Sequence, residues 1–183
     1  MPLGVGESIS FVMLHKNMAQ IRKARVEDAA SLVELFKQLD EETNFMLFEP
    51  RERTITVEQQ VGRLKAFEDS ATEAMFVAEN NDTLIGFVVG IGGVANRSRH
   101  SIHIVIGVLQ SHWNQGMGRE LMETLEAWAK DKHAHRLELT VMARNTKAIA
   151  FYEKLGFERE GIKRDALCVK GKYVNEIYMS KLL

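Results

Sequence analysis

Residues 101–119 run from an apolar, β-branched strand through two closely spaced glycines into an amphipathic helix, and this junction restricts the chain to few architectures. Ser101 to Val108 read as a strand, Gly116 and Gly118 mark the turn, and Met117, Leu121, Leu125 and Trp128 then recur at helical spacing. A strand that turns through glycines into a helix presents unpaired backbone N–H groups at the positive end of the helix dipole. In physical terms that is a phosphate site. A Gly-x-Gly by itself is a weak signal. A second block, Asn145 to Phe157, narrows it.

The rest of the chain supplies the frame. Residues 20–24 alternate as a first strand, and Glu27 and Asp28 suit the start of a helix whose apolar face is Ala29, Leu32, Val33, Phe36 and Leu39. Residues 40–53 are acidic, contain aromatics and are broken by Pro50. Thr56 and Gln59 form a capping box for a second helix with Val57, Val61, Leu64 and Phe67 on one face. Strands are expected at 74–79 and 84–91, joined by the turn Asn80-Asn81-Asp82, and then at 101–108. A third helix ends near Lys130, Lys132 and His133, a strand covers 136–142, and a short helix over 146–155 stops at Gly156. Strands at 157–164 and 173–182 close the chain. The order predicts one α/β (α+β) domain with a mixed sheet over residues 18–183, preceded by an N-terminal extension over 1–17.

Composition excludes several classes. With 183 residues, 45% apolar and 27% charged, the chain reads as one globular domain with a substantial core. A net charge of −1 gives no field for nucleic acid or a membrane surface, and no apolar run reaches a membrane span. Cys168 is the one cysteine, so an intramolecular disulfide and a cysteine-based zinc site are both excluded, and a reducing cytoplasm is the natural reading. A dinucleotide loop would need glycine at Leu121, and no Walker loop is present.

The two blocks together resemble the GNAT superfamily of acyl-CoA-dependent N-acetyltransferases. The family's pyrophosphate loop, Q/R-x-x-G-x-G/A, is similar to Trp113-Asn114-Gln115-Gly116-Met117-Gly118, with Trp113 at the position of Gln or Arg. Asn145-Thr146-Lys147-Ala148-Ile149-Ala150-Phe151-Tyr152-Glu153-Lys154-Leu155-Gly156-Phe157 resembles its N-x-x-A-x-x-x-Y-x-x-x-G-F block. Gly171 to Glu176, followed by Met179, resembles the last hairpin of many bacterial members, so the likeness spans nearly the whole chain.

The resemblance implies a mostly antiparallel sheet with one splayed strand pair, 101–108 against 136–142, flanked by helices. Acetyl-CoA would be the co-substrate, with no metal. Its pantetheine arm would lie along Ile106, Gly107 and Val108, and its pyrophosphate on the N–H groups of Asn114, Gln115, Gly116, Met117, Gly118 and Arg119. Arg119 could add charge or be an exposed helix arginine. Tyr152 would protonate the departing thiolate, against the alternative of a core tyrosine sharing a helix face with Ala148 and Leu155. Asn145 would cap its helix and contact the cofactor. The resemblance also allows a homodimer.

The general base stays open. Ribosomal-protein acetyltransferases of this superfamily carry a Glu five residues before the motif asparagine, where this chain has Thr140. Glu138 shares a strand face with Thr140, and His103 lies on the neighbouring strand, imidazole being the side-chain type suited to base work near neutral pH. A water chain serving an already neutral amine is a third route. Asp40, Glu41, Glu42, Glu49 and Glu52, mixed with Phe45, Met46 and Phe48, form an acceptor region for a cationic amine or else a solvated helix end. The expected activity is acetyl transfer to a primary amine, on a small molecule or a protein, without a covalent enzyme intermediate. The alternative is an acyl-CoA-binding sensor or scaffold without turnover.

Overall fold

A computed structural model describes residues 19–183. The expected extension over 1–17 lies outside the described residues. The elements are β1 (Gln20–Lys23), a 3-10 turn (Val26–Asp28), α1 (Ala29–Glu42), α2 (Val57–Asp69), β2 (Glu73–Asn80), β3 (Thr83–Gly92) and β4 (Ser101–Val108). A second 3-10 turn (Gln110–His112), α3 (Met117–Asp131), β5 (Arg136–Met142), α4 (Thr146–Lys154), β6 (Glu158–Val169) and β7 (Lys172–Leu182) follow. The strands form one sheet in the order β1-β2-β3-β4-β5-β7-β6. Every pairing is antiparallel except β4 with β5. This is the α+β architecture with a mixed, mostly antiparallel sheet that the sequence implied.

Local chemistry explains the turns and helix starts. Asn81 and Asp82 both adopt positive φ (50° and 60°), the geometry of a two-residue hairpin turn matched to strand twist. The capping box forms as expected: Thr56 Oγ1 accepts from the Gln59 N–H, and the Thr56 N–H donates to Gln59 Oε1. Arg22 on β1 forks onto Asp28 and also reaches Glu79 on β2, fastening the first helix to the sheet edge.

The last hairpin differs from expectation. β6 continues to Val169 instead of stopping near 164, with register breaks against β7 between Arg159 and Gly161 and between Lys163 and Leu167. Its first eight residues are all exposed, so no period-two alternation marks the strand in the sequence.

The core lies on both faces of the sheet. Ile102 and Ile104 of β4 are buried on the α3 side with Leu121 and Leu125, whereas Gly107 turns toward Leu39 of α1. His103 and Val105 therefore share the α1 side with Gly107. That face continues through Glu138 and Thr140 on β5, because His103 pairs with Glu138.

Candidate active site

The slot between β4 and β5 follows from where their pairing stops. They pair in parallel at Ser101 with Arg136, Ile102 with Leu137 and His103 with Glu138, and no further. Beyond that step, β5 is paired with β7 and β4 with β3, which leaves one edge of β4 open. The Leu109 N–H bonds the Ile85 carbonyl on β3, at 2.9 Å. Backbone polar groups alternate sides along a strand, so those of Ile106 and Val108 face the slot. One of these is already engaged: the Trp113 indole N–H donates to the Val108 carbonyl at 2.7 Å. The edge expected to receive a pantetheine arm is therefore open at Ile106 and partly closed at Val108.

At the mouth of the slot the chain turns into α3. Asn114 (φ 58°) and Gly116 (φ 88°) both take left-handed backbone, which glycine adopts without penalty and asparagine more readily than most residues. Gly116 is the N-cap of α3 and no side chain caps its first N–H groups. Those donors sit at the positive end of a 15-residue helix, and they fit an anionic diphosphate. Gly118 has a different cause. A Cβ there would lie 3.1 Å from the Phe151 ring, so this glycine lets α3 and α4 approach closely. Arg119 is exposed and lies 3.6 Å from Glu123, one turn further along α3.

Asn145 caps α4, its Oδ1 accepting from the Ala148 N–H at 3.2 Å. That cap starts the helix that carries Tyr152. The Tyr152 ring is half-buried against Phe151 and Phe157, with centroids 5.3 and 5.9 Å away. Its hydroxyl makes no hydrogen bond among the described residues. Loss of water around the phenol pushes its pKa up to about 12, so it stays a proton carrier throughout the neutral range. The core reading and the functional reading of Tyr152 are compatible: the ring packs, and the hydroxyl has no partner among the described residues.

On the α1 side of the sheet, His103, Glu138 and Thr140 line one pocket with Arg136, Glu160 and Tyr178. Glu138 is held by Arg136 at 2.8 Å. Arg136 also binds Glu160, which accepts from Ser180 as well, and these two bonds pull the Glu160 carboxyl down to about 2. The same carboxylates hold the Arg136 guanidinium firmly protonated. The His103 ring has no hydrogen-bond partner among the described residues. Of the two base candidates, His103 is the one not committed to a neighbour.

Glu176 is a carboxylate that sequence reasoning passed over. β7 carries it beside β5, where its Oε1 accepts from the Thr140 hydroxyl at 3.4 Å and its Oε2 lies 3.5 Å from Lys163. Its side chain is only 13% exposed. The last-hairpin resemblance included this residue, but only the β5–β7 register brings it to Thr140.

Of the five carboxylates at residues 40–52, three are engaged by neighbours among the described residues. Asp40, 1% exposed, receives Arg53 at 2.6 and 3.0 Å, and the same guanidinium lies over Phe36 and Phe48. Glu42 accepts from the Gln110 N–H, and Glu52 from the Glu49 N–H. Asp40, Glu42 and Glu52 are therefore structural, and of the carboxylates expected to attract a cationic amine Glu41 and Glu49 stay exposed. Arg144, over the Phe45 ring, adds positive charge at this edge.

A parallel strand pair that parts after three residues, an uncapped Gly-opened helix at its mouth and a free phenol on the next helix define an acyl-CoA-dependent transferase fold. Residues 34–157 match the acetyltransferase (GNAT) family model, and the chain belongs to that family of N-acetyltransferases. A GNAT-family acetyltransferase of Streptococcus pneumoniae superposes with a TM-score of 0.88 at 30% identity, covering 91% of this chain and 100% of that one. YncA of Salmonella typhimurium, solved with its cofactor acetyl-CoA, shares the fold at a TM-score of 0.81 and 19% identity, over 91% and 94% of the two chains. The L-amino acid N-acetyltransferase AaaT of Escherichia coli is 35% identical over 95 residues, 49% of this chain and 57% of that protein's length.

Proposed function

We propose that this protein moves the acetyl group of acetyl-CoA to the primary amine of a small molecule, by direct attack of the amine on the thioester. The observation that carries this reading is the open edge of β4 at Ile106 with the free Tyr152 hydroxyl on α4. The free Ile106 edge and the Val108 N–H bind the pantetheine arm, and the uncapped N–H groups from Asn114 to Arg119 take the pyrophosphate. Asn145, the cap of α4, and Gly107 of β4 are the further cofactor contacts in this reading. The acceptor approaches through the pocket on the α1 side, where Thr140 of the lining leads to Glu176, a carboxylate it shares with Lys163.

The reaction needs a neutral amine, because an ammonium has no lone pair. His103 takes that proton in this reading, being uncommitted where Glu138 is bound to Arg136. Nitrogen then bonds to the acyl carbon, the carbon–sulfur bond breaks, and the Tyr152 hydroxyl supports the sulfur as it gains its proton. After attack nitrogen loses a second proton, which balances the one gained by sulfur, and the first, taken by His103, passes on to solvent.

The Escherichia coli relative makes L-amino acids the first acceptors to test. Among the described residues no helix is long and apolar enough to cross a membrane, and the exposed Cys168 thiol suits a reducing compartment, so we place the activity in the cytoplasm. Free-CoA release should be measured with acetyl-CoA across a panel of amino acids, polyamines and amino sugars. Amine-dependent release that falls in the Tyr152→Phe protein supports the reading. Tight acetyl-CoA binding with no turnover on any amine would leave only a binding protein.

A further inference from the structure

Trp113 stands where the family's loop carries Gln or Arg, so the loop lacks its usual polar side chain at that position. The structure gives Trp113 two contacts. Its indole N–H is bonded to the Val108 carbonyl at 2.7 Å, which fixes the ring across the mouth of the slot. The Lys147 ammonium lies over that ring, 5.2 Å from its centroid. Lys147 belongs to the first turn of α4, next to the Asn145 cap, and Trp113 directly precedes the left-handed turn through Asn114 and Gly116 that opens α3.

Lys147 has no carboxylate partner among the described residues, whereas Arg119, the basic residue nearest the loop in sequence, is within 3.6 Å of Glu123. A lysine in the first turn of a helix is unfavourably placed against the helix dipole, so its position is not explained by helix stability. The aromatic face compensates by holding the ammonium at the mouth of the slot.

Accepting the acyl-CoA reading above, we infer that Lys147, seated on Trp113, is the cation for the donor's pyrophosphate, supplied from α4 instead of from the loop's first position. Trp113 acts as a positioning residue: its indole bond to Val108 sets the ring, and the ring sets the ammonium. The loop's N–H groups and Lys147 then address the diphosphate from two helices, and the departure at Trp113 is compensated.

The test is calorimetric binding of CoA, 3′-dephospho-CoA and pantetheine to the wild-type, Lys147→Gln, Trp113→Leu and double-variant proteins, with exposed Lys65→Gln as the charge control. Removing one charge-assisted contact should weaken CoA and dephospho-CoA by the same factor, about tenfold, and leave pantetheine unchanged. Trp113→Leu should weaken both nucleotides, and the double variant should be no worse than the stronger single one. Unchanged CoA affinity in Lys147→Gln overturns the inference. So does a loss confined to CoA, which would assign the charge to the 3′-phosphate, and so does full additivity of the two substitutions. Wild-type protein that binds none of the three ligands would instead overturn the acyl-CoA reading itself.

Discussion

Arg53 and Asp40 close the segment between α1 and α2 on itself: the guanidinium forks onto a carboxylate that is 1% exposed, while Phe36 and Phe48 flank it. Arg53→Ala would leave the Asp40 carboxylate buried without its cation. Losing one partner of such a pair costs about 3 kcal/mol, and urea unfolding should read that loss. A change below about 1 kcal/mol would mean that the segment holds its shape without the pair. In the surviving folded protein, KM for the amine should rise more than KM for acetyl-CoA, since this segment borders the acceptor side.

Tyr152→Phe retains the ring stacking against Phe151 and Phe157 and deletes the hydroxyl. We predict a fall in kcat of roughly 100-fold, the low end for loss of a positioned proton donor, with acetyl-CoA affinity preserved. Equal rates for the two proteins would remove the hydroxyl from the mechanism. The pH dependence has a defined sign. The phenol's pKa is raised from 10.0 to about 12, so between those values the unfolded chain releases a proton that the folded chain keeps. Stability contributed by the protonated phenol is complete below pH 10 and declines as pH rises toward 12. Alkaline melting curves of the two proteins should diverge in that window alone.

Glu160→Gln tests the opposite sign. Arg136 and Ser180 lower the Glu160 carboxyl from 4.5 to about 2, so below pH 4.5 the unfolded chain takes up a proton that the folded chain does not. The stabilisation is complete above pH 4.5 and is lost as pH falls toward 2. The variant's acid melting curve should be flatter than wild type there. The carboxylate is 40% exposed, which keeps the effect small. The same substitution frees Arg136 to bind Glu138 alone, so an unchanged pH–rate profile would agree with His103 as the base.

Gly116→Ala and Gly118→Leu should fail differently. Gly116 has room for a Cβ, with nothing nearer than 3.9 Å, but its φ of 88° penalises any side chain by about 1 kcal/mol. A modest drop in melting temperature with a clear loss of CoA affinity is expected. Gly118→Leu instead drives into the Phe151 ring, beside Tyr152, at an overpacking cost of about 1–3 kcal/mol. It should lower stability and kcat together. Identical behaviour of the two variants would contradict these separate causes.

The fold was legible wherever the signal is local. The Thr56 and Gln59 capping box, the Asn81-Asp82 turn and the apolar face of α3 follow from residues only a few positions apart. β6 was cut short because an exposed strand with two register breaks carries no alternation to count. In the site, Asn145, Gly116 and Tyr152 were visible as motif positions. The Trp113–Val108 bond, the Asp40–Arg53 pair and the approach of Glu176 to Thr140 were not, since each depends on how separate elements meet. The acidic stretch after α1 reads as a cation trap only while the inward direction of Asp40 is unknown.

The three-residue pairing of β4 with β5 makes the sheet two plates joined by a short seam, β1 to β4 on one side and β5, β7 and β6 on the other. Beyond His103 and Glu138 no cross-strand bond joins the plates, and the packed helices carry the joint there. A donor laid against Ile106 and touched by α4 would bridge the plates and stand in for the missing strand. Catalytic alignment and completion of the sheet would then be one event: the strand order would be continuous across the gap only while the donor lies in it.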